Sequence, residues 1–152
     1  MILGAVFVSI LGTLLHFAYE FSGENYFVGL FTPVNESVWE HMKLLFFPML
    51  VFSLFSKEKL SPALMLGTLS GTFLIPVLFY TYTGFLGFNI GFIDILIFYI
   101  SVIFAFYVSY KSSQNKSFEK YKGMIFTLIC ILFVLFIVFT VFPPQLPIFI
   151  AP

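Results

Sequence analysis

"KSSQNKSFEKYKG", residues 111–123, carries four of the seven lysines in a chain of 152 residues that is 61% hydrophobic and only 9% charged. A second short stretch, "SKEKLSP" at residues 56–62, carries Lys57 and Lys59. Apolar sequence surrounds both. A soluble domain is about 45–50% apolar and about 25% charged, so this chain cannot cover itself with polar surface in water. It reads as an all-α membrane protein. Basic loops are retained in the cytoplasm. The two lysine stretches fall on the same side of the membrane under a count of five spans, with two crossings between them. That reasoning gives a bundle of about five transmembrane helices, N-terminus inside and C-terminus outside.

A crossing needs about 20 mostly apolar residues. The spans are expected at about 2–20, 37–55, 61–82, 92–110 and 123–142, forming a single transmembrane domain over residues 1–152. The opening "MILGAVFVSILGTLLHFAYE" has neither a basic n-region nor a small-residue cleavage site, so it is expected to remain as the first span rather than leave as a signal peptide. The mean hydropathy of +1.07 fits a multi-pass protein of the cell membrane. The net charge is zero and there is no arginine, which excludes nucleic acid as a partner. The expected partners are membrane lipids, a lipid or lipid-linked substrate, and a second copy of the chain. Cys130, the only cysteine, is expected to be a small buried hydrophobe. Gly67 and Gly71 form a small-xxx-small pair suited to close helix packing. Pro76 is a candidate kink. The tail "FPPQLPIFIAP" holds four prolines and is expected to lie at the external interface or fold over the bundle.

Polar groups concentrate in "LFTPVNESVWEHMKLLFFP", residues 30–48. Asn35, Glu36, Ser37, Glu40, His41 and Lys43 fall within nine residues. On the first span, Ser9, Thr13, His16 and Glu20 are spaced 4, 3 and 4 apart and form one polar stripe. Glu36, Glu40 and Lys43 have similar spacing and are expected to share a face of the second span. A two-span hairpin brings both sets to the external end. His16, Glu20 and His41 are the expected metal ligands, because imidazoles with a carboxylate are an ordinary shell for zinc or another divalent metal. Glu36 and Glu40 are candidate general bases. Ser37, Lys43 and Asn35 complete the candidate catalytic set, with Lys43 or Asn35 stabilising negative charge. At least two of Glu20, Glu36 and Glu40 are expected in one pocket with the histidines. A plainer reading stands beside this one. Ser37-Val-Trp-Glu40 has the spacing of a capping box, Glu40 and Lys43 have the spacing of an ion pair, and Trp39 and Tyr26 suit an interfacial aromatic belt. Asp94, Asn89, Tyr80 and Tyr82 fall at the same level, as helix-end residues or as additions to the site.

The segments "LHFAYEFSGEN" and "PVNESVWEHMKLLFFP" resemble a family of small bacterial multi-pass membrane proteins classed as a domain of unknown function. The resemblance centres on residues 15–48 and implies that the polar residues there act as a unit, without implying an activity. Ser37-x-x-x-His41 is also similar to one element of the ceramidase and adiponectin-receptor membrane hydrolases. That superfamily uses a late histidine pair, which is absent here, since His16 and His41 are the only histidines.

Three functions follow from these residues. One is a metal-dependent membrane hydrolase acting on a lipid or lipid-linked substrate. Another is a cation or proton transporter or channel, although the first span has no ionisable residue on the cytoplasmic side of Ser9 and Thr13. The third is a non-catalytic structural or sensory membrane protein.

Overall fold

The computed structural model describes residues 1–56 and 60–152. Lys57 and Lys59, on which part of the topology reading rests, lie outside the described residues. The chain forms α1 (Ile2–Phe21), α2 (Tyr26–Gly29), α3 (Val38–Phe55), α4 (Pro62–Leu86), α5 (Gly91–Ser113) and α6 (Lys122–Val141), with 3₁₀ turns at Lys116–Tyr121 and Pro147–Phe149. No strand occurs among the described residues. Five of the helices, α1, α3, α4, α5 and the segment ending in α6, are long and apolar enough to cross a membrane.

The helix limits follow local chemistry. Ser37 and Ser61 lie in extended backbone and cap α3 and α4 through their hydroxyls. α4 runs one turn beyond the expected residue 82. It continues through Pro76 and Gly84 and stops at Gly87, whose φ of 81° gives a left-handed cap. The connection after α1 is not a plain loop. Asn25 accepts from Phe27 N and Val28 N and starts the single turn of α2.

α3 is the hub of the bundle, with most of its 18 residues buried. α1 buries only Gly4, Val8 and Gly12, a stripe with a spacing of four. α6 buries Ile125, Ile129, Leu132 and Phe136, spaced 4, 3 and 4. Lipid is as apolar as leucine, so such helices associate through close packing and interhelical hydrogen bonds rather than through the hydrophobic effect. Small residues provide the packing. A Cβ at Gly71 would stand 2.6 Å from Ala105 Cβ, and one at Gly67 would collide with Ser109. The Gly67/Gly71 pair therefore seats α4 on α5. A Cβ at Gly12 would overlap Leu44 O of α3 and the Phe98 ring of α5, so α1 lies close to both.

Two expectations fail. Cys130 is exposed. It is one residue, about 100° of helix, from Ile129 on the buried stripe, and so points outward. Trp39 is buried rather than in an interfacial belt, against Phe136, Phe139 and Phe149 with ring centroids 4.9 Å apart for the last. Phe149 belongs to the proline-rich tail, so the tail folds back over the bundle instead of leaving it.

Candidate functional site

The end of α1 and the start of α3 bring His16 and His41 together, with ring centroids 5.2 Å apart and planes nearly perpendicular. Glu36 joins them. Its Oε2 lies 3.3 Å from His41 Nε2. One ligand atom from each of His16, Glu36 and His41 lies within 4.8 Å of the others.

The state of His41 follows from its second nitrogen. Nδ1 is 2.9 Å from the carbonyl oxygen of Ser37. A carbonyl only accepts, so Nδ1 carries a proton and donates it. In the neutral ring, Nε2 then presents a lone pair to the Glu36 carboxylate, which also only accepts. Two acceptors at 3.3 Å need a cation between them, either a proton or a metal. Metal-ligating histidines commonly donate their other N–H to a backbone carbonyl, which fixes the tautomer. With metal–ligand bonds of about 2.0–2.1 Å, the edge of a tetrahedron is about 3.3–3.4 Å. The Glu36–His41 spacing already matches that edge. The His16 ligand atom lies within 4.8 Å of the other two.

The local sequence fixes this geometry. Asn35 Oδ1 accepts from Ser37 N at 2.9 Å, and Ser37 Oγ accepts from Glu40 N at 3.4 Å. Glu36 thus sits in a turn just ahead of the helix, with its carboxylate swung back to His41. Because α3 begins at Val38, helical spacing does not apply to Glu36. The expected shared face of Glu36, Glu40 and Lys43 therefore does not form.

Glu40 and Lys43 instead build a separate, fully buried network. Lys43 Nζ has four acceptors within hydrogen-bond distance, Glu40 Oε2 at 2.6 Å, Thr140 Oγ1 at 2.5 Å, Gly29 O at 3.2 Å and Thr32 O at 3.3 Å, which share its three N–H groups. Glu40 Oε2 also accepts from Val34 N at 3.0 Å. In a capping box, Glu40 would bond the N-cap amide. Here Asn35 takes that amide, and Glu40 holds the loop before it. Lys43 lies about 200° round the helix from His41, so the two face opposite ways. The pair ties α3 to α6 and to the connection after α1, and it does not reach the histidines. Glu20 is exposed and outside the His16–Glu36–His41 group. Of the three candidate carboxylates expected around the histidines, only Glu36 is there.

The histidines and Glu36 line one side of a partly open cavity of about 590 Å³ between α1, α3, α4 and α5. Its other walls are mostly apolar, including Leu44, Ile75, Phe79, Ile97 and Phe98, and Pro152 of the tail also borders it. Phe17 and Ile95, both exposed on the outer surface, border it at α1 and α5. Asn89 and Asp94 bring a second polar group into the lining. Tyr82 donates to Asp94 Oδ1, Asn89 Nδ2 approaches Oδ2 at 3.5 Å, and Ile90 N donates to Tyr82 Oη at 3.1 Å. Tyr80 borders a smaller neighbouring pocket beneath the tail. At the deeper end, Thr13 Oγ1 and Tyr99 Oη are 3.1 Å apart and link α1 to α5. Sequence reasoning missed this link and the role of Thr140. Thr140 is one of two hydroxyls in the last span, with Thr127, and sequence alone does not single it out.

The chain belongs to a family of unknown function, DUF6512, which it matches over residues 1–151. No curated protein and no solved structure matches it.

Proposed function

As a member of a family without an assigned activity, the chain takes no function from its relatives, and we propose one from its own residues: a metal-dependent membrane hydrolase that holds a divalent ion, zinc by the ligand set, and acts on a lipid or lipid-linked substrate. The observation that carries this reading is the convergence of His16, Glu36 and His41 within 4.8 Å on the wall of a mostly apolar cavity. Three protein ligands leave a tetrahedral ion one open position, the mark of catalytic rather than structural zinc. A metal in such a site supplies an activated water and polarises a carbonyl or phosphoryl oxygen.

The protein residues have distinct parts. Ser37 O orients His41 and fixes its tautomer. Asn35 and Ser37 hold the turn that presents Glu36. Glu40 and Lys43 anchor the connection that leads into that turn and act at a distance from the chemistry. The cavity volume is in the range of small-molecule sites, and its Phe17–Ile95 border gives an acyl chain a route from the bilayer. Turnover of fluorogenic lipid esters and phosphodiesters by purified protein tests the reading. Activity lost on chelation, regained with zinc and absent from His41→Ala supports it. Hydrolysis that is unchanged by chelator and by His41→Ala would overturn it.

A further inference from the structure

The same fold contains two carboxylates at the same end of the bundle, one buried and one half-buried, and they are treated differently. Glu40 is buried and has its own cation, Lys43, at 2.6 Å. Asp94 lines the cavity and makes no ion pair among the described residues. The cavity lining it shares includes Ile95, Ile97, Phe98 and Phe79 together with His16, Glu36 and His41, and no residue of that lining is a lysine. Tyr82 and Asn89 each donate one hydrogen bond to it. A carboxylate offers about four lone-pair sites, so about two remain. Asp94 lies in the first turn of α5. A helix N-terminus supplies only about half an elementary charge, which does not balance a full one.

We infer that Asp94 and Asn89 form a headgroup subsite that takes the ammonium group of a cationic amphiphile, whose chain lies along the apolar wall toward the border at Phe17 and Ile95. Charge and hydrogen-bond direction agree on this ligand. An ammonium offers donors only, a carboxylate accepts only, and the Asn89 carbonyl adds another acceptor. Tyr82 is a positioning residue. Its Oη is fixed by Ile90 N, and it turns the Asp94 carboxylate while leaving lone pairs free. An anionic lipid headgroup is disfavoured at this wall. The inference names the ligand of the cavity in the proposed hydrolase and rests on that cavity being a binding site, but it does not require the metal.

The test uses full-length protein in an uncharged maltoside detergent and a diazirine-bearing long-chain primary amine, with its alcohol and carboxylic acid counterparts as controls. The amine should label cavity peptides of α1 and α5 in preference to both controls. Asp94→Asn should lower amine labelling by about tenfold or more, as expected for loss of a close charge pair. Asn89→Lys supplies an internal cation at an exposed position, as Lys43 does for Glu40, and should abolish amine labelling while the protein stays folded. Chelator should leave the preference for the amine over both controls in place, which separates this subsite from the metal reading. Equal labelling by the acid and the amine, or full amine labelling in a folded Asn89→Lys protein, would overturn the inference.

Discussion

Lys43→Met isolates the strongest polar constraint in the bundle. Methionine has nearly the length of the lysine stem and keeps the packing, so the change removes only the charge and its donors. Lys43 is fully buried, and its ammonium serves Glu40, Thr140, Gly29 O and Thr32 O. Without it, Glu40 keeps only the Val34 amide at 3.0 Å and a long contact to Thr140 at 3.5 Å. Leaving one member of a buried ion pair uncompensated costs about 3–5 kcal/mol. That is a large part of a typical total stability of about 5–15 kcal/mol. Adding Glu40→Gln removes the stranded charge and should restore much of the loss. A deficit of about 1–3 kcal/mol per group should remain for the carbonyls of Gly29 and Thr32, which lose their donor. Reversible unfolding of the wild type, both single variants and the double variant in mild detergent completes the cycle. The reasoning fails if Lys43→Met costs less than about 1 kcal/mol, the value of an exposed pair, or if the double variant is less stable than Lys43→Met alone.

Ser37→Ala should cost about 0.5–2 kcal/mol as an ordinary N-cap loss, read from the same unfolding curves. Gly12→Val should cost about 1–3 kcal/mol by overpacking, because its Cβ meets Leu44 O and the Phe98 ring; it should also push α1 away from the cavity, which cysteine cross-linking between α1 and α5 would detect. Zinc affinity should fall on acidification, since both histidines bind as neutral rings; calorimetric titration at several pH values checks this, and a flat profile would exclude imidazole ligands. Cysteines placed at Ser113 and Gln145, with Cys130 replaced, should be protected from and open to an impermeant reagent in intact cells, respectively; labelling at Ser113 would reverse the topology drawn from the lysines.

The spans were legible because membrane crossing imposes length and hydropathy on each segment independently of its neighbours. The meeting of His16 and His41 was also legible, since consecutive antiparallel helices put the end of one beside the start of the next. What failed was helical phase where there was no helix. Glu36 lies ahead of the Ser37 cap, so it belongs to a turn and reaches His41, while Glu40 and Lys43, inside the helix, face away. The Lys43–Thr140 contact joins residues 97 apart in sequence, and no local spacing encodes it. Trp39 was misplaced because an aromatic near a helix end reads as interfacial until something covers it. Here Phe149 of the folded-back tail does so.

Metal content bears most directly on the central claim. Protein purified without chelator and without a histidine tag should contain about one zinc per chain by elemental analysis, the load of a three-ligand catalytic site. Its X-ray absorption spectrum should show two imidazoles and a carboxylate, and His16→Ala, His41→Ala and Glu36→Gln should each lower the content. A metal-free wild-type protein that also fails to take up zinc, with a melting temperature unmoved by chelator, would contradict the account and leave His41 and Glu36 as a simple proton-bridged pair.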